Sequence, residues 1–365
     1  MMKLPFYLKS TIILFGLILF AFIMVNLREI LIPIAFSLLI AILLNPVCNW
    51  LERNLLPKVG AIAVSVILAI VVITGVAYFL TIQINGFASQ MPLLKKKFAE
   101  MFLHCQQYAA IHFNMPLAKQ EAYINNGISE LKPYIERTLG NVVGSIAVIF
   151  LVPVYTFLFL YYKSLLLNFL YETSAEQNYQ EVTSVLAKTK GAIQNYMMGI
   201  IIEAAIIASL NSITLFIFGI KYAILLGVIG AILNILPFVG GILGVFLPLV
   251  IATITKDGYG TQIGIIVSYT IIQFIDNHFI VPYVVSAQVK INALISIVIV
   301  LLGGSAWGLS GMFLSIPFIG VLKIIFDSVP ELKSLSKLLG NEIPRKHKGE
   351  IWGQRRRKKP LMQVV

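Results

Sequence analysis

The chain has 365 residues, of which 58% are hydrophobic and only 12% are charged, and its mean hydropathy is +0.89. A soluble globular domain is nearer half apolar and about a quarter charged, because charged residues are what a water-facing surface requires. The formal net charge of +12 is concentrated near the end of the chain. These properties exclude a soluble enzyme and favour an integral membrane protein.

Apolar runs long enough to cross a bilayer, about 17–25 residues, recur along the chain. Those that we interpret as single spans are residues 11–27, 30–44, 60–84, 142–162, 196–218 and 263–282. The second run is short for a span unless Asn45 and Pro46 lie at the membrane interface. The first run follows Lys3 and Lys9 as a signal peptide would, but no A-x-A cleavage pattern follows it, so we interpret it as a retained span.

Two further apolar segments are too long for one straight span. Residues 222–255 would form a helix of about 50 Å against a hydrocarbon core of about 30 Å, and residues 291–326 pose the same problem. Breaks in the two segments are Pro237, Gly240, Gly241 and Gly244, then Gly303, Gly304, Gly308, Gly311 and Pro317. Each segment is either a hairpin of two short helices or one span with a re-entrant part, which gives about eight spans or about ten.

Both counts are even, so both place the two termini on one side of the membrane. Lys3, Lys9 and the basic run at 345–359 make that side the cytoplasm of a bacterial-type inner membrane. The predicted fold is an all-α polytopic bundle of transmembrane helices. Its domains are helices 1–3 in residues 1–84, an extracytoplasmic amphipathic segment in 85–141, helices 4–8 in 142–327 and a basic cytoplasmic tail in 328–365.

Two stretches outside the spans are amphipathic. Apolar residues from Phe87 to Cys105 recur at three- and four-residue steps, which predicts a helix. A second such helix, with Val182 and Ile193 on one face, precedes the fifth span. Each either lies on the membrane surface or packs on the spans, and packing is favoured.

The basic tail and the cysteines carry two smaller predictions. A run of lysine and arginine beside a span more often binds anionic lipid than nucleic acid, so we expect the lipid bilayer as its partner. Cys48 and Cys105 fall on opposite sides of the membrane in this topology. We therefore expect no disulfide between them, and they do not make a metal site.

Charged and polar residues inside the spans are few, and lipid penalises them unless they face a cavity or a partner. Glu203 lies in the fifth span, where Asn211 shares its helical face, and Asp276 lies in the seventh span beside His278. A carboxyl in a low-dielectric site favours its protonated form, which suits a group that loads and releases a proton or a cation. Alternatively, each carboxyl lies near an interface or is satisfied by a neighbouring helix.

The interrupted segments are a second indication of a site. Proline frees a backbone carbonyl one turn earlier, and in lipid such groups survive only where they are buried or line a wet cavity. Paired interrupted segments mark the binding site in many transporters, although close helix packing through small residues also uses glycine. Candidate pathway residues are therefore Glu203, Asn234, Pro237, Gly240, Gly241, Gln273, Asp276, Asn277, Gly303 and Gly304.

One short motif points to a different activity. Residues 308–311 fit the G-x-S-G pattern of rhomboid-type intramembrane serine proteases. A nucleophilic serine needs a base within reach, and His278 precedes Ser310, which is opposite to the rhomboid order. Because Walker A, HExxH and CxxC motifs are also absent from the sequence, we predict no enzyme activity, no cofactor and no metal.

Three stretches of the sequence resemble the autoinducer-2 exporter family, also called the PerM-like permeases. They are residues 31–36 with 44–53, residues 231–240, which match the family's N-x-x-P-[YF]-x-G pattern, and residues 276–282; Gly303-Gly304, Trp307-Gly308, Gly311 and Ile316-Pro317 follow in family order. The similarity covers the chain from the first span to Phe326. Lys163 departs from the pattern, since the family's fourth span often ends with an acidic residue, and a proline is missing around Asn292.

The resemblance implies export of a small polar signalling molecule or of other small solutes, and some members are described as sodium/proton antiporters. It also implies a homo-oligomer. The leading hypothesis is therefore a secondary exporter of the autoinducer-2 class that uses Glu203 and Asp276 for coupling. The alternative is a cation/proton antiporter that uses the same carboxyls on the ion, and a membrane scaffold or an intramembrane protease that uses Ser310 comes last.

Overall fold

A computed structural model describes residues 5–89, 91–112, 115–116, 119–120, 126, 129, 146–236, 240–285 and 291–341. This part of the chain is helical, and its one β pairing is an isolated bridge between Ile291 and Gly340. The helices are α1 (Phe6–Asn26), α2 (Arg28–Asn54), α3 (Lys58–Ala88), α4 (Met91–His112), α5 (Ile146–Tyr161), α6 (Lys163–Glu172), α7 (Tyr179–Ile217), α8 (Ala223–Asn234), α9 (Gly240–Thr255), α10 (Gly260–Ile275), a π-helix (Asp276–Val285), α11 (Ala293–Ser328) and α12 (Lys333–Leu339). The all-α fold class is confirmed.

Within the described residues, five helical segments have the length and apolar composition of a membrane span: α2, α3, α7, α10 with the π-helix, and α11, although α11 reverses direction at Gly308. A sixth is formed by α5 and α6, which meet at an angle of 59°. The outer sides of these helices are apolar and exposed, as a lipid-facing surface requires, and Phe15 of α1 is 66% exposed. The chain is a multi-pass membrane protein, whereas the count of about eight spans stays a prediction because α1, α8 and α9 are shorter.

The second helix is longer than the sequence predicts. We expected a run at 30–44 that ends near Pro46, but α2 continues to Asn54. Pro46 cannot donate to the carbonyl of Ile42, and the side chain of Gln194 donates to this carbonyl at 2.8 Å instead. Since a neighbouring helix satisfies the freed group, the proline does not end α2.

We expected the amphipathic stretch before the fifth span to be a separate helix, and the structure shows that it is not. It forms the first part of α7, a continuous helix of 39 residues. Its buried residues Ile193 and Ile200 pack in one cluster with Ala35 and Leu39 of α2. The stretch therefore packs on the spans, and α4 likewise contacts α9.

The helix α2 is the centre of one half of the bundle. It runs parallel to α5, because Ser37 donates to the carbonyl of Val152 at 3.0 Å and Lys163 donates to Asn45 at 2.7 Å farther along both helices. Asn45 is therefore buried among helices. Cys48 nearby is a buried free thiol, while the side chain of Cys105 lies outside the described residues.

The first interrupted segment is a hairpin of α8 and α9, which we call the first hairpin. Gly230 lies against Gly244 across the two arms, and a Cβ on Gly240 would overlap the backbone of Leu233 and Asn234. The arms have 12 and 16 residues, about 18 and 24 Å in length, so each is shorter than the hydrocarbon core of about 30 Å. The chain thus enters the membrane and turns back inside it, with Pro237 outside the described residues.

The second interrupted segment is also a hairpin, formed by the two halves of α11, and we call it the second hairpin. Helical geometry breaks at Gly308, where φ is 61° and ψ is −142°. Ser315 donates to the carbonyl of Ile299 at 3.0 Å, although these residues would lie about 24 Å apart in a straight helix. The glycine of the G-x-S-G pattern therefore supplies a turn that a residue with a side chain would strain.

The two hairpins enter the bundle from opposite ends. The open end of the first hairpin lies at the C-terminal end of α7, since Ala223 and Ala252 share a cluster with Leu215. The open end of the second lies at the N-terminal end of α7, where the charge of Lys188 acts on Asp327. Oppositely directed hairpins of this kind are typical of transporters whose binding site lies near mid-membrane.

Close contact between the arms of the second hairpin predicts a large effect of Gly311→Val. A Cβ at this position would overlap the carbonyl of Gly303, and overpacking of this kind costs about 1–3 kcal/mol or more. We expect a lower apparent melting temperature in detergent and less monodisperse protein on size exclusion. Gly75→Val is the matched control, because nothing lies within 4 Å of that Cβ, and an equal loss in both variants would contradict the hairpin contact.

Candidate functional site

A cavity of about 760 Å³ lies beside the middle of α7. Its walls come from α7, the first hairpin, α10, the π-helix and the second hairpin, and the polar residues that line it are Tyr196, Glu203, Asn234, Tyr269, Thr270, Gln273, Asp276, Asn277 and Ser296. Small-molecule sites typically have volumes of about 300–1,000 Å³ with mostly apolar walls and a few polar groups. The cavity therefore has the size and composition of a site for a small solute.

Two carboxyl groups meet at one side of this cavity. The amide of Asn234 donates to Asp276 at 2.9 Å and lies 3.5 Å from Glu203, so it bridges the pair. Gln273 lies 3.4 Å from the same oxygen of Asp276. Because two carboxylates that share a donor repel each other when both are ionised, a bound proton or cation would stabilise the arrangement.

The position of Asp276 depends on a local change of helix type. Asp276 begins the π-helix that follows α10, and such widened turns often occur at functional sites. Its side chain is 1% exposed, so it lies inside the bundle and does not face lipid. His278 stacks on Phe274 with a centroid distance of 4.2 Å and does not line the cavity.

The structure separates the predicted pathway residues into two groups. Those that line the cavity are Glu203, Asn234, Gly241, Gln273, Asp276 and Asn277. Gly240 lies instead against the backbone of α8, while Gly303 and Gly304 meet Gly311 and Met312 inside the second hairpin. We expected these three in the pathway because a helix break suggested a cavity. Here Gly240 and Gly303 allow two backbones to pack, and Gly304 leaves room for the side chain of Met312. Pro237 lies outside the described residues.

Four polar lining residues were missed from the sequence: Tyr196, Tyr269, Thr270 and Ser296. Tyr269 had a usable signal, since it lies four residues before Gln273 and seven before Asp276, which places all three near one helical face. Ser296 had none, because it reaches the cavity only through the reversal of the second hairpin.

Two interrupted hairpins around a cavity inside the helix bundle that holds a bridged carboxyl pair are typical of a membrane transporter. Residues 11–331 match the sequence profile of the AI-2E family transporters. The chain belongs to this family, as the resemblance noted from its motifs predicted.

Several relatives are named as candidate transport proteins or permeases. YrrI of Bacillus subtilis (strain 168) is 23% identical over 82% of this chain and 86% of its own length. A transport protein of Haemophilus influenzae is 25% identical over 86% and 90%. The permease PerM of Escherichia coli (strain K12) is 26% identical over 80% and 87%.

Water access to the cavity can be tested with a matched pair of cysteine variants. Ser296 lines the cavity, whereas Ser315 is buried between the arms of the second hairpin, bonded to Ile299 and Gly311. In a background without Cys48 and Cys105, we expect Ser296→Cys to react with a hydrophilic maleimide about tenfold faster than Ser315→Cys, because an exposed thiol ionises more readily. Equal rates in intact proteoliposomes would show that the cavity is not hydrated.

Proposed function

We propose that this protein is a secondary exporter of small polar solutes of the autoinducer-2 class, and that the central cavity is its solute pathway. One observation supports this above the others: both hairpins and the carboxyl pair converge on a single cavity inside the helix bundle. A scaffold protein would not need charged groups there, since buried carboxyls in lipid are costly.

The chemistry of the cavity wall suits a small hydroxylated solute. The hydroxyl of Tyr196 and the amides of Gln273 and Asn277 can each both donate and accept hydrogen bonds. The hydroxyls of Thr270 and Ser296 donate to carbonyls one turn earlier in their own helices and remain available as acceptors. Ile200 and Ile316 supply apolar wall between them. Among the described residues, no lysine or arginine lines the cavity, so this part of the wall does not select an anionic solute.

The carboxyl pair provides a way to couple a proton to movement of the first hairpin. Asn234 is the last residue of α8, and its bond to Asp276 joins the inner end of this arm to the π-helix. Hydrogen bonds to a charged acceptor are stronger than those to a neutral one. Protonation of Asp276 would therefore weaken this link, and loss of the proton would restore it.

Charge distribution supports a cytoplasmic location of both termini. At the N-terminal end of α7 the basic residues are Arg53, Lys58, Lys163, Lys188, Lys190 and Lys323. The ends of the first hairpin carry Lys221 and Lys256, with Asp257 beside the latter. Lys95, Lys96 and Lys97 of α4 lie at the same end, but long loops translocate largely regardless of their charge. By the positive-inside rule, the first group faces the cytoplasm of a bacterial inner membrane.

A cation/proton antiporter is the second candidate. The bridged pair of Glu203 and Asp276 favours it, because two neighbouring carboxyls can exchange a proton for a cation. In this case the ion is the cargo and the polar wall of the cavity has no solute to bind. In the antiporter, proton movement requires the cation, whereas in the coupled exporter it requires the solute.

Flux in proteoliposomes loaded with autoinducer-2, with and without an imposed proton gradient, separates these functions. For the exporter we expect gradient-dependent efflux that falls about tenfold or more in Glu203→Gln and Asp276→Asn, a typical size for a lost coupling. Controls are Glu29→Gln and Asp257→Asn, which change exposed acidic residues.

Two other results have clear meanings. Sodium-driven proton movement without solute efflux would favour the antiporter. Full activity of both carboxyl variants would remove the pair from the mechanism and contradict the proposed coupling.

A further inference from the structure

A narrow crevice of about 10 Å³ lies behind the solute cavity, between α7, the first hairpin and α10. Its polar lining is provided by Asn211, Asn234, Tyr269 and Gln273, with Gly230 and Gly244 between them. This volume is close to the minimum that holds one water molecule. A hydrated ion or an organic solute does not fit, so any occupant is a single small species.

Two buried oxygen atoms in this crevice have no hydrogen-bond partner within the described part of the chain. They are Oδ1 of Asn211 and the hydroxyl of Tyr269, on side chains that are 3% and 8% exposed. Leaving a buried polar atom without a partner costs free energy, and native structures contain few such atoms. Because both atoms line one crevice, we infer that a further species in the crevice interacts with them.

A backbone carbonyl adds a third oxygen. Pro248 lies four residues after Gly244 in α9 and has no N–H to bond with its carbonyl. At Pro46 of α2 the corresponding carbonyl is bonded by Gln194, whereas among the described residues no side chain donates to Gly244. The absence of side chains at Gly230 and Gly244 lets the backbone of both arms approach the crevice, as a Cβ at Gly244 would lie 3.2 Å from the carbonyl oxygen of Gly230.

The electrostatic surroundings favour one positive charge. The amides of Asn234 and Gln273 both direct their N–H groups toward Asp276, which leaves their carbonyl oxygens as acceptors. The other oxygen of Asp276 is buried and unpartnered. Within the described part of the chain, no basic side chain lines the crevice. A mainly neutral oxygen shell beside one carboxylate balances a monovalent cation better than a divalent one, which typically takes several carboxylates.

We propose that this crevice binds a dehydrated sodium ion through Asn211, Tyr269 and the carbonyl of Gly244. Freed carbonyls of interrupted helices coordinate sodium in other transporter folds. That sodium is the ion coupled to solute export rests on the proposed function. That sodium binds in the crevice does not depend on it. The first hairpin supplies Asn234 and Gly244, so sodium would hold its two arms together beside the carboxyl pair.

Binding of radiolabelled sodium to the purified full-length protein in detergent, followed by scintillation proximity, tests the site directly. We expect saturable binding that unlabelled sodium displaces and that equal potassium or choline does not. Asn211→Leu removes one ligand, and Pro248→Ala returns an N–H to the carbonyl of Gly244. Each should weaken sodium binding about tenfold or more, since each removes a charge-assisted contact from a buried site.

Matched controls are Asn26→Leu, at the exposed end of α1, and Pro153→Ala, in α5 away from the crevice; both should bind sodium as the wild type does. If either crevice variant aggregates, Tyr269→Phe takes its place, because it removes the hydroxyl of Tyr269 from the same site and should weaken sodium binding in the same way. Absence of sodium binding by the wild type, displacement by potassium at equal potency, or unchanged binding in both crevice variants would overturn the site and leave a buried water as its occupant.

Solute efflux from the same preparation keeps this inference distinct from the export function. Efflux that persists in choline buffer without sodium binding would overturn the sodium site and leave the exporter intact. Sodium binding that follows the expected pattern without any solute efflux would support the site and contradict the exporter.

Discussion

Inside a bilayer, a backbone carbonyl that loses its helical partner has no water to replace it, and the architecture of this protein follows from that constraint. Pro46 interrupts α2 only where Gln194 can bond the carbonyl of Ile42. The hairpin of α8 and α9 turns back within the bundle, where glycine contacts keep its arms close. Breaks can occur only where other helices or a polar cavity cover them, so the irregular parts of the chain and its polar site lie in the same place.

The carboxyl pair of Glu203 and Asp276 also arises where regular helical structure is interrupted. Asp276 follows a change from α- to π-helix, and Asn234 ends the first arm of a hairpin. Each residue lies where regular helix stops, and the side chains meet because both irregular ends point to mid-membrane. The polar side of the cavity thus forms where the π-helix begins and where α8 ends. These two helix ends position its polar groups, and no separate domain is needed.

The sequence predicted the parts of this structure that depend on local composition. Apolar length located the spans, and intramembrane cost located Glu203 and Asp276. It missed the continuation of α2 because the partner of Ile42 lies 152 residues away. It also left open whether residues 291–326 reverse, since the bond from Ser315 to Ile299 forms only after the turn at Gly308. Gly303 and Gly304 lie between the arms of the second hairpin and not on the cavity wall, because glycine marks a close contact and a cavity equally well.

A pair of hydrogen bonds closes the open end of the second hairpin, and we call this pair the clasp. It has a consequence for how the protein is made. Asn292 caps the first turn of α11 by accepting from Ile295, and its amide donates to the carbonyls of Leu338 and Gly340, 46 and 48 residues later. Proteins fold largely in the order of synthesis, so both arms enter the membrane before this clasp exists. The two arms of the second hairpin are therefore held at first only by the close glycine contacts between them, and residues 338–340 fasten its open end afterwards, so the order of synthesis becomes an order of assembly.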